Sequence, residues 1–208
     1  GVAHAEFLNV ALLKLKNDLA GELGAETRRA EKTTGKKVLV FISDRGGEFM
    51  DSQVVRFLLS QGVEHVPAAA EKQNQNPTER FVGLSSECAV PLLTTANMAI
   101  QWWCWAIEDA ARKLRHRPSG KLKMSMHESW YGVRPNVKYA FRFGCIAVCY
   151  RTEAQMHNGG FNQKGFPAKV IGLDSDKRPN AFTAADRNNE TWTSTDIKML
   201  AGVHKCKD

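Results

Sequence analysis

The chain has 208 residues, 43% of them apolar and 25% charged, which is enough to bury a core in one domain or in one domain plus a small appendage. No apolar run approaches the roughly 18 residues that a bilayer crossing needs, so no membrane span is expected. Lys and Arg outnumber Asp and Glu by 29 to 22, a net charge of +7, and that excess favours a phosphate-bearing partner.

Apolar residues at Phe7, Val10, Ala11, Leu13, Leu15, Leu19 and Leu23 recur at helical spacing and predict an amphipathic helix from Glu6 to Leu23. Gly24 and Thr33-Thr34-Gly35 read as turns. Lys37 to Ser43 is β-branched enough for a buried strand. A short helix from Asp51 to Gln61, closed by Gly62, and a second short strand from Val63 to Pro67 follow. Ala68 to Asn76 is polar, Gln/Asn-rich and reads as a mobile loop. Pro77 opens a long helix to about Asn97, and another runs from about Gln101 to His116. Character changes near Arg117-Pro118. Met126 to Val133 reads as a helical turn. Beyond Tyr139 the pattern is β, over residues 141–150 and 168–172, and more weakly over 181–199, where Asn188-Asn189 interrupts it. The layout predicted is an α/β core over residues 1–117, a linker with a short helix over 118–138, and a small β-rich, barrel-like domain over 139–208.

Between residues 110 and 124 lie Arg112, Lys113, Arg115, Arg117, Lys121 and Lys123 with no acidic residue. A nucleic-acid contact and a solvated helix face account for them equally well. Trp102, Trp103 and Trp105 read as helix-core packing before base stacking. The cysteines (Cys88, Cys104, Cys145, Cys149, Cys206) are odd in number and scattered, which suits a reducing, intracellular compartment better than a disulfide framework. Cys145 and Cys149 would share one strand face, and no zinc-ligand spacing accompanies them. The chain opens on Gly1 rather than Met, as a processed product or a fragment would. Glu6, Asp18, Glu22 and Glu26 argue against an uncleaved targeting peptide.

Two carboxylates stand out. Asp44 ends the apolar run 38–43 and precedes Arg45-Gly46-Gly47-Glu48-Phe49; Glu79 lies in Gln75-Asn76-Pro77-Thr78-Glu79-Arg80. Phosphodiester chemistry by two divalent ions needs clustered carboxylates, one ion activating the attacking oxygen and the other stabilising the leaving oxygen. Mg²⁺ prefers such oxygen ligands. A carboxylate at the carboxyl end of a strand sits where open α/β sheets place ligands, and Gly46-Gly47 leaves room for a close approach. A plain polar turn also explains Asp44. Capping explains Glu79, with Asn76 as N-cap, Pro77 at the first helical position and Glu79 at the third.

Four blocks in order resemble the integrase of copia-type retroelements. They are Ser43-Asp44-Arg45-Gly46-Gly47-Glu48-Phe49, Gln75-Asn76-Pro77-Thr78-Glu79-Arg80, Trp105-Ala106, and the stretch from His127 to Val137 with Phe143-Gly144-Cys145 after it. The resemblance implies an RNase H-like integrase core, followed by the small barrel-like domain. It implies metal-dependent joining of element DNA to target DNA, with Asp44 and Glu79 as the second and third catalytic carboxylates. The family's first Asp lies on an opening strand upstream of the first helix, and this chain starts at about that helix. No His-His-Cys-Cys zinc module precedes the core. Pro77 replaces the family's Gly, and Phe81-Val82-Gly83-Leu84 stands where more basic residues are usual.

The first expectation is therefore a degenerate, non-catalytic integrase descendant: a structural or nucleic-acid-binding subunit of an assembly such as an organellar ribosome. The RNA or DNA contacts would be Arg112, Lys113, Arg115, Arg117, Lys121 and Lys123. The alternatives are a fragment of an active Mg²⁺-dependent integrase and a protein-binding adaptor. No cofactor is expected unless another segment completes a Mg²⁺ site at Asp44 and Glu79. In the implied fold the strand from Val38 to Ile42 is central, so a protein partner should cover its edge. Mitochondrion and nucleus are both compatible compartments.

Overall fold

The computed structural model describes residues 7–13, 15–44, 46–67, 77–118, 120, 123–137, 140–150, 164–173 and 181–200. The expected loop 68–76, Lys121 and Cys206 lie outside them. The chain divides into two compact units, one of residues 1–84 and 111–135 and the other of residues 85–110 and 136–208. The division differs from the one read from the sequence. The second half of one long helix and the first half of the next belong with the C-terminal sheet, because that is where their apolar residues are buried.

In the first unit, helix α1 spans Leu19–Thr34 after a single 3-10 turn at Lys16–Asp18. The helix expected from Glu6 to Leu23 is thus displaced towards the C-terminus, and residues 7–13 have no regular structure. Side-chain contacts hold that segment instead. Phe7 stacks on Trp130 at 5.1 Å between centroids and meets Tyr131 edge-on at 5.5 Å. Asn9 accepts a hydrogen bond from Arg115 (2.6 Å) and donates one to Glu26 (2.8 Å). Gly24 is no turn: it is buried inside α1, where a Cβ would lie 3.2 Å from the Phe57 ring. The glycine permits close approach to helix α2, Ser52–Ser60. Helix α1 ends at Gly35, which is left-handed (φ 67°) and donates to Glu31 O, as a glycine cap should.

Strand β1 covers only Val40–Ser43 and runs parallel to β2, Glu64–Pro67, with Val40 opposite Glu64 and Ile42 opposite Val66. Residue 38 is excluded from the ladder because its N–H bonds to the Glu31 carboxylate (3.1 Å). Asp51 caps α2 by accepting from Gln53 N–H (2.8 Å), as its side chain suits. Val54, Leu58 and Val63 form the buried core, with Leu23, Phe41 and Phe57 against them. Helix α5, Met126–Tyr131, has Ser125 as N-cap and left-handed Gly132 at its end.

Helices α3 (Pro77–Ala96) and α4 (Trp103–His116) run through both units. In the second unit Ala89, Leu93, Trp102 and Ala106 pack with Phe143, Ile171 and Ala185. A fully buried phenylalanine such as Phe143 contributes about 1.5–3 kcal/mol over an exposed one. Trp102 is buried and Trp105 packs against the core, while Trp103 is 55% exposed. Five antiparallel strands follow: β3 (Ile146–Tyr150), β4 (Gly165–Leu173), β5 (Phe182–Ala185), β6 (Thr191–Ser194) and β7 (Ile197–Met199), ordered β6-β5-β4-β3-β7. Phe141, Cys145, Ala147, Val170 and Phe182 form a second buried cluster.

The expected small barrel is an open sheet: consecutive β6 and β7 lie at its two edges rather than pairing. The sheet curls, since Ser194 Oγ at the end of β6 donates to Tyr150 O of β3 (3.3 Å). The strand expected from 141 begins only at Ile146, because Gly144 turns the chain at φ 71°.

Candidate functional site

Asp44 stands at the carboxyl end of β1 with its side chain exposed, and its Oδ1 accepts from Gly46 N–H (3.1 Å). A Cβ on Gly46 would lie 3.0 Å from Asp44 Oδ1 and 3.2 Å from Glu48 Cδ. Both carboxylates therefore pack close over the glycine, and a side chain there would make them shift. Phe49 N–H donates to Gly46 O (3.0 Å) and closes the turn that brings Glu48 back. Lys16 Nζ is 3.6 Å from Glu48 Oε2. Glu48's own backbone N–H, and then Lys16, hold its carboxyl below the usual range. Beneath the turn, Ser43 Oγ is buried, donates to Asp44 O (2.8 Å) and lies 2.9 Å from His65 Nε2.

Glu79 is exposed in the first turn of α3. The cap expected from Asn76 lies outside the described residues. The carboxylate beside Asp44 is Glu48, which lies within the same motif and carried no expected role. The turn at residues 46–49 folds the chain back and brings it there. No group of three or more His, Cys, Asp or Glu able to hold a metal ion occurs among the described residues, so Asp44, Glu48 and Glu79 do not form one. The donor chemistry suits Mg²⁺, which takes carboxylate oxygens. The ion would still need an oxygen ligand from elsewhere.

The basic residues separate by environment. Arg112 is 9% exposed and thus buried. Arg115 is half-buried, with its guanidinium 5.3 Å from the Phe7 ring centre in addition to its bond to Asn9. Lys113 is half-buried, and Arg117 and Lys123 are exposed. Between them His116 meets His127 edge-on at 5.2 Å. Burial first, then Arg112 and His127, push the His116 imidazole down to about 4. Cys145 and Cys149 are both buried, in separate clusters, and burial pushes each thiol up to about 11. The four described cysteines are free thiols.

No protein-family model matches the chain. Over 172 residues, 81% of its length, it is 24% identical to the retrovirus-related Pol polyprotein from transposon TNT 1-94 of Nicotiana tabacum, and it spans 13% of that protein. Among solved structures it is similar to the HTLV-2 integrase catalytic core domain in complex with magnesium, with 17% identity, a TM-score of 0.45, and coverage of 62% of this chain and 79% of that one. It is also similar to a simian T-cell lymphotropic virus intasome in complex with PP2A regulatory subunit B56 gamma. There the identity is 12%, the TM-score 0.45, and the coverage 90% of this chain and 65% of that one. The chain is thus similar to part of a retrotransposon Pol polyprotein, the class of element to which its four blocks pointed. The RNase H-like class expected for it is mixed α/β, and the described residues are mixed α/β.

Proposed function

We propose that this chain is an integrase-like nucleic-acid-binding subunit of a larger assembly, and that it acts by holding nucleic acid rather than by cutting it alone. The observation that carries the reading is the acid-free basic stretch 110–124, which ends in the exposed side chains of Arg117 and Lys123. Exposed cations without acidic neighbours gain binding energy by displacing counterions from phosphates. Lys113 and Lys121 belong to the same stretch of the sequence; Arg112 and Arg115 hold local structure.

A protein partner belongs to the same reading. The parallel pair β1–β2 leaves Val40, Ile42 and Val66 on one face at 47%, 64% and 39% exposure, and Leu39 at 69%. Parallel sheets are ordinarily covered on both faces, so a polypeptide of the assembly covers this one. A ribonucleoprotein, an organellar ribosome included, has both chemistries, and free thiols suit a reducing compartment. The experiment is binding of RNA and DNA without divalent ions. Asp44→Asn and Glu79→Gln should leave affinity within about twofold, and Arg117→Ala with Lys123→Ala should lower it about tenfold or more. The reverse pattern would sink the reading.

A second reading, a portion of a Mg²⁺-dependent strand-transfer enzyme, is favoured by the convergence of Asp44 and Glu48 over Gly46. It requires that Asp44→Asn abolish strand transfer by the longer protein that carries the remaining carboxylate.

A further inference from the structure

A cavity of about 340 Å³ opens in the second unit, between the segment joining α3 to α4 and the strands β3, β4 and β5. Its charged wall is cationic. Lys169 Nζ donates to Ala96 O (2.8 Å), at the end of α3, and to Asn97 O (3.0 Å), just beyond it, and is thereby fixed at the cavity. An ammonium has three protons, so one remains to point elsewhere. Arg187 lines the cavity and is exposed.

The acid in the wall, Asp186, is turned to other work. Its Oδ1 accepts from Asn188 N–H (2.8 Å) and Glu190 N–H (2.9 Å), and its Oδ2 accepts from the Trp192 indole (3.1 Å). The carboxylate thus folds the β5–β6 turn, and the net character left to a ligand is positive. Three amides, Asn97, Gln101 and Asn189, are exposed at the cavity, and Asn97 and Asn189 both sit in the left-handed region (φ 47° and 62°). Met98, Trp102, Ile146 and Pro167 give the apolar remainder.

We infer that this cavity takes one unpaired nucleotide of the nucleic-acid partner. Apolar walls receive the base, amides bond its edge, and Lys169 and Arg187 hold the phosphate. The inference rests on the nucleic-acid-binding reading above and names a site on it that the basic stretch does not include. Size supports a nucleotide over a duplex, since ligand pockets begin at about 300 Å³ and a helix cannot enter one that small. The next stacking surface stands beside it in the chain. Ile100 and Trp103, which flank the lining residues Gln101 and Trp102, are 74% and 55% exposed. Of the two, the Trp103 ring is a surface on which a base of a single strand can stack.

The test uses the full chain with a short single-stranded oligonucleotide of mixed sequence and the matching duplex, both at one salt concentration. Ala99→Phe fills the cavity from an exposed position, and Arg187→Ala removes the exposed cation. Each should weaken single-strand binding about tenfold. Ala99→Phe should leave duplex binding unchanged, Arg187→Lys should restore most of the loss, and neither should shift the melting temperature. In heteronuclear NMR, a nucleoside monophosphate should move the Trp102 indole and Met98 methyl signals. Equal losses on single strand and duplex, or no loss, overturn the cavity assignment alone. Displacement of the nucleotide by an equimolar acidic peptide assigns the cavity to a peptide and overturns it as well. A chain that binds no nucleic acid at all overturns the underlying reading too.

Discussion

Gly144 lies within the Phe143-Gly144-Cys145 block, and the structure shows why a glycine is needed there. Its φ is 71°, and a Cβ on it would overlap the Ala96 Cβ and lie 3.3 Å from both Ala96 Cα and Met98 Sδ. Gly144→Ala therefore carries two costs. A left-handed conformation costs about 1–2 kcal/mol for a residue with a Cβ. An extra methyl in a packed site costs about 1–3 kcal/mol more. The total expected is about 2–5 kcal/mol, a large fraction of a domain's stability. Neighbouring contacts are equally tight, since Gly144 N–H donates to Val170 O at 2.7 Å, so the turn cannot easily retreat. Urea unfolding followed by tryptophan fluorescence measures the loss. Ala96→Gly in the same chain should return the overlap cost and leave the backbone cost. A Gly144→Ala chain within about 0.5 kcal/mol of the parent would refute the packing argument, and an Ala96→Gly that restores nothing would refute the named clash.

Other outcomes follow from burial and exposure. His116 titrates at about 4 when folded against 6.5 when exposed, so the unfolded chain takes its proton first. Its contribution is complete above about pH 6.5 and is lost as pH falls towards 4. After allowance for solvent screening it amounts to about 1–3 kcal/mol. Urea midpoints of the parent and His116→Gln, compared across that window, should diverge; parallel curves would contradict the burial. Cys145 and Cys149, with thiols pushed up to about 11, should resist iodoacetamide at pH 8 in the native chain while half-buried Cys88 and Cys104 react. Mass spectrometry reads the sites, and early labelling of Cys145 would show that its strand opens. Ile42→Lys should leave stability within about 0.5 kcal/mol and reduce self-association in sedimentation runs, because Ile42 is 64% exposed. Unchanged self-association would locate the adhesive surface elsewhere.

Local chemistry made several elements legible. Asp51 and Gly62 bracket α2 as side-chain capping and a glycine stop should. The long helices 77–96 and 103–116 were visible from their length and from Pro77. Asn188 and Asn189 marked the turn between β5 and β6. Tertiary choices were not legible. Helical spacing from Phe7 to Leu23 was real, but Phe7 finds Trp130 and Tyr131, and Leu15 is left 65% exposed. Gly24 read as a turn and Gly144 as part of a strand, whereas one admits Phe57 and the other turns the chain and makes room for Ala96. At the candidate site, Asp44 was legible from its strand and turn. Glu48 was not, because its approach depends on the fold of residues 46–49 and not on spacing. The cavity at Lys169 and Arg187 joins segments far apart in sequence, and no motif announces it.

The central claim is that exposed cations of the basic stretch hold phosphates. The most direct test is the slope of log affinity against log salt for RNA and DNA, measured on the parent and on the Arg117→Ala, Lys123→Ala double variant. Each lost phosphate contact should make the slope shallower by about 0.7 on a single strand or 0.9 on a duplex, so the pair should remove roughly 1.4–1.8. An unchanged slope, or affinity of the parent that does not fall with salt, would contradict the account.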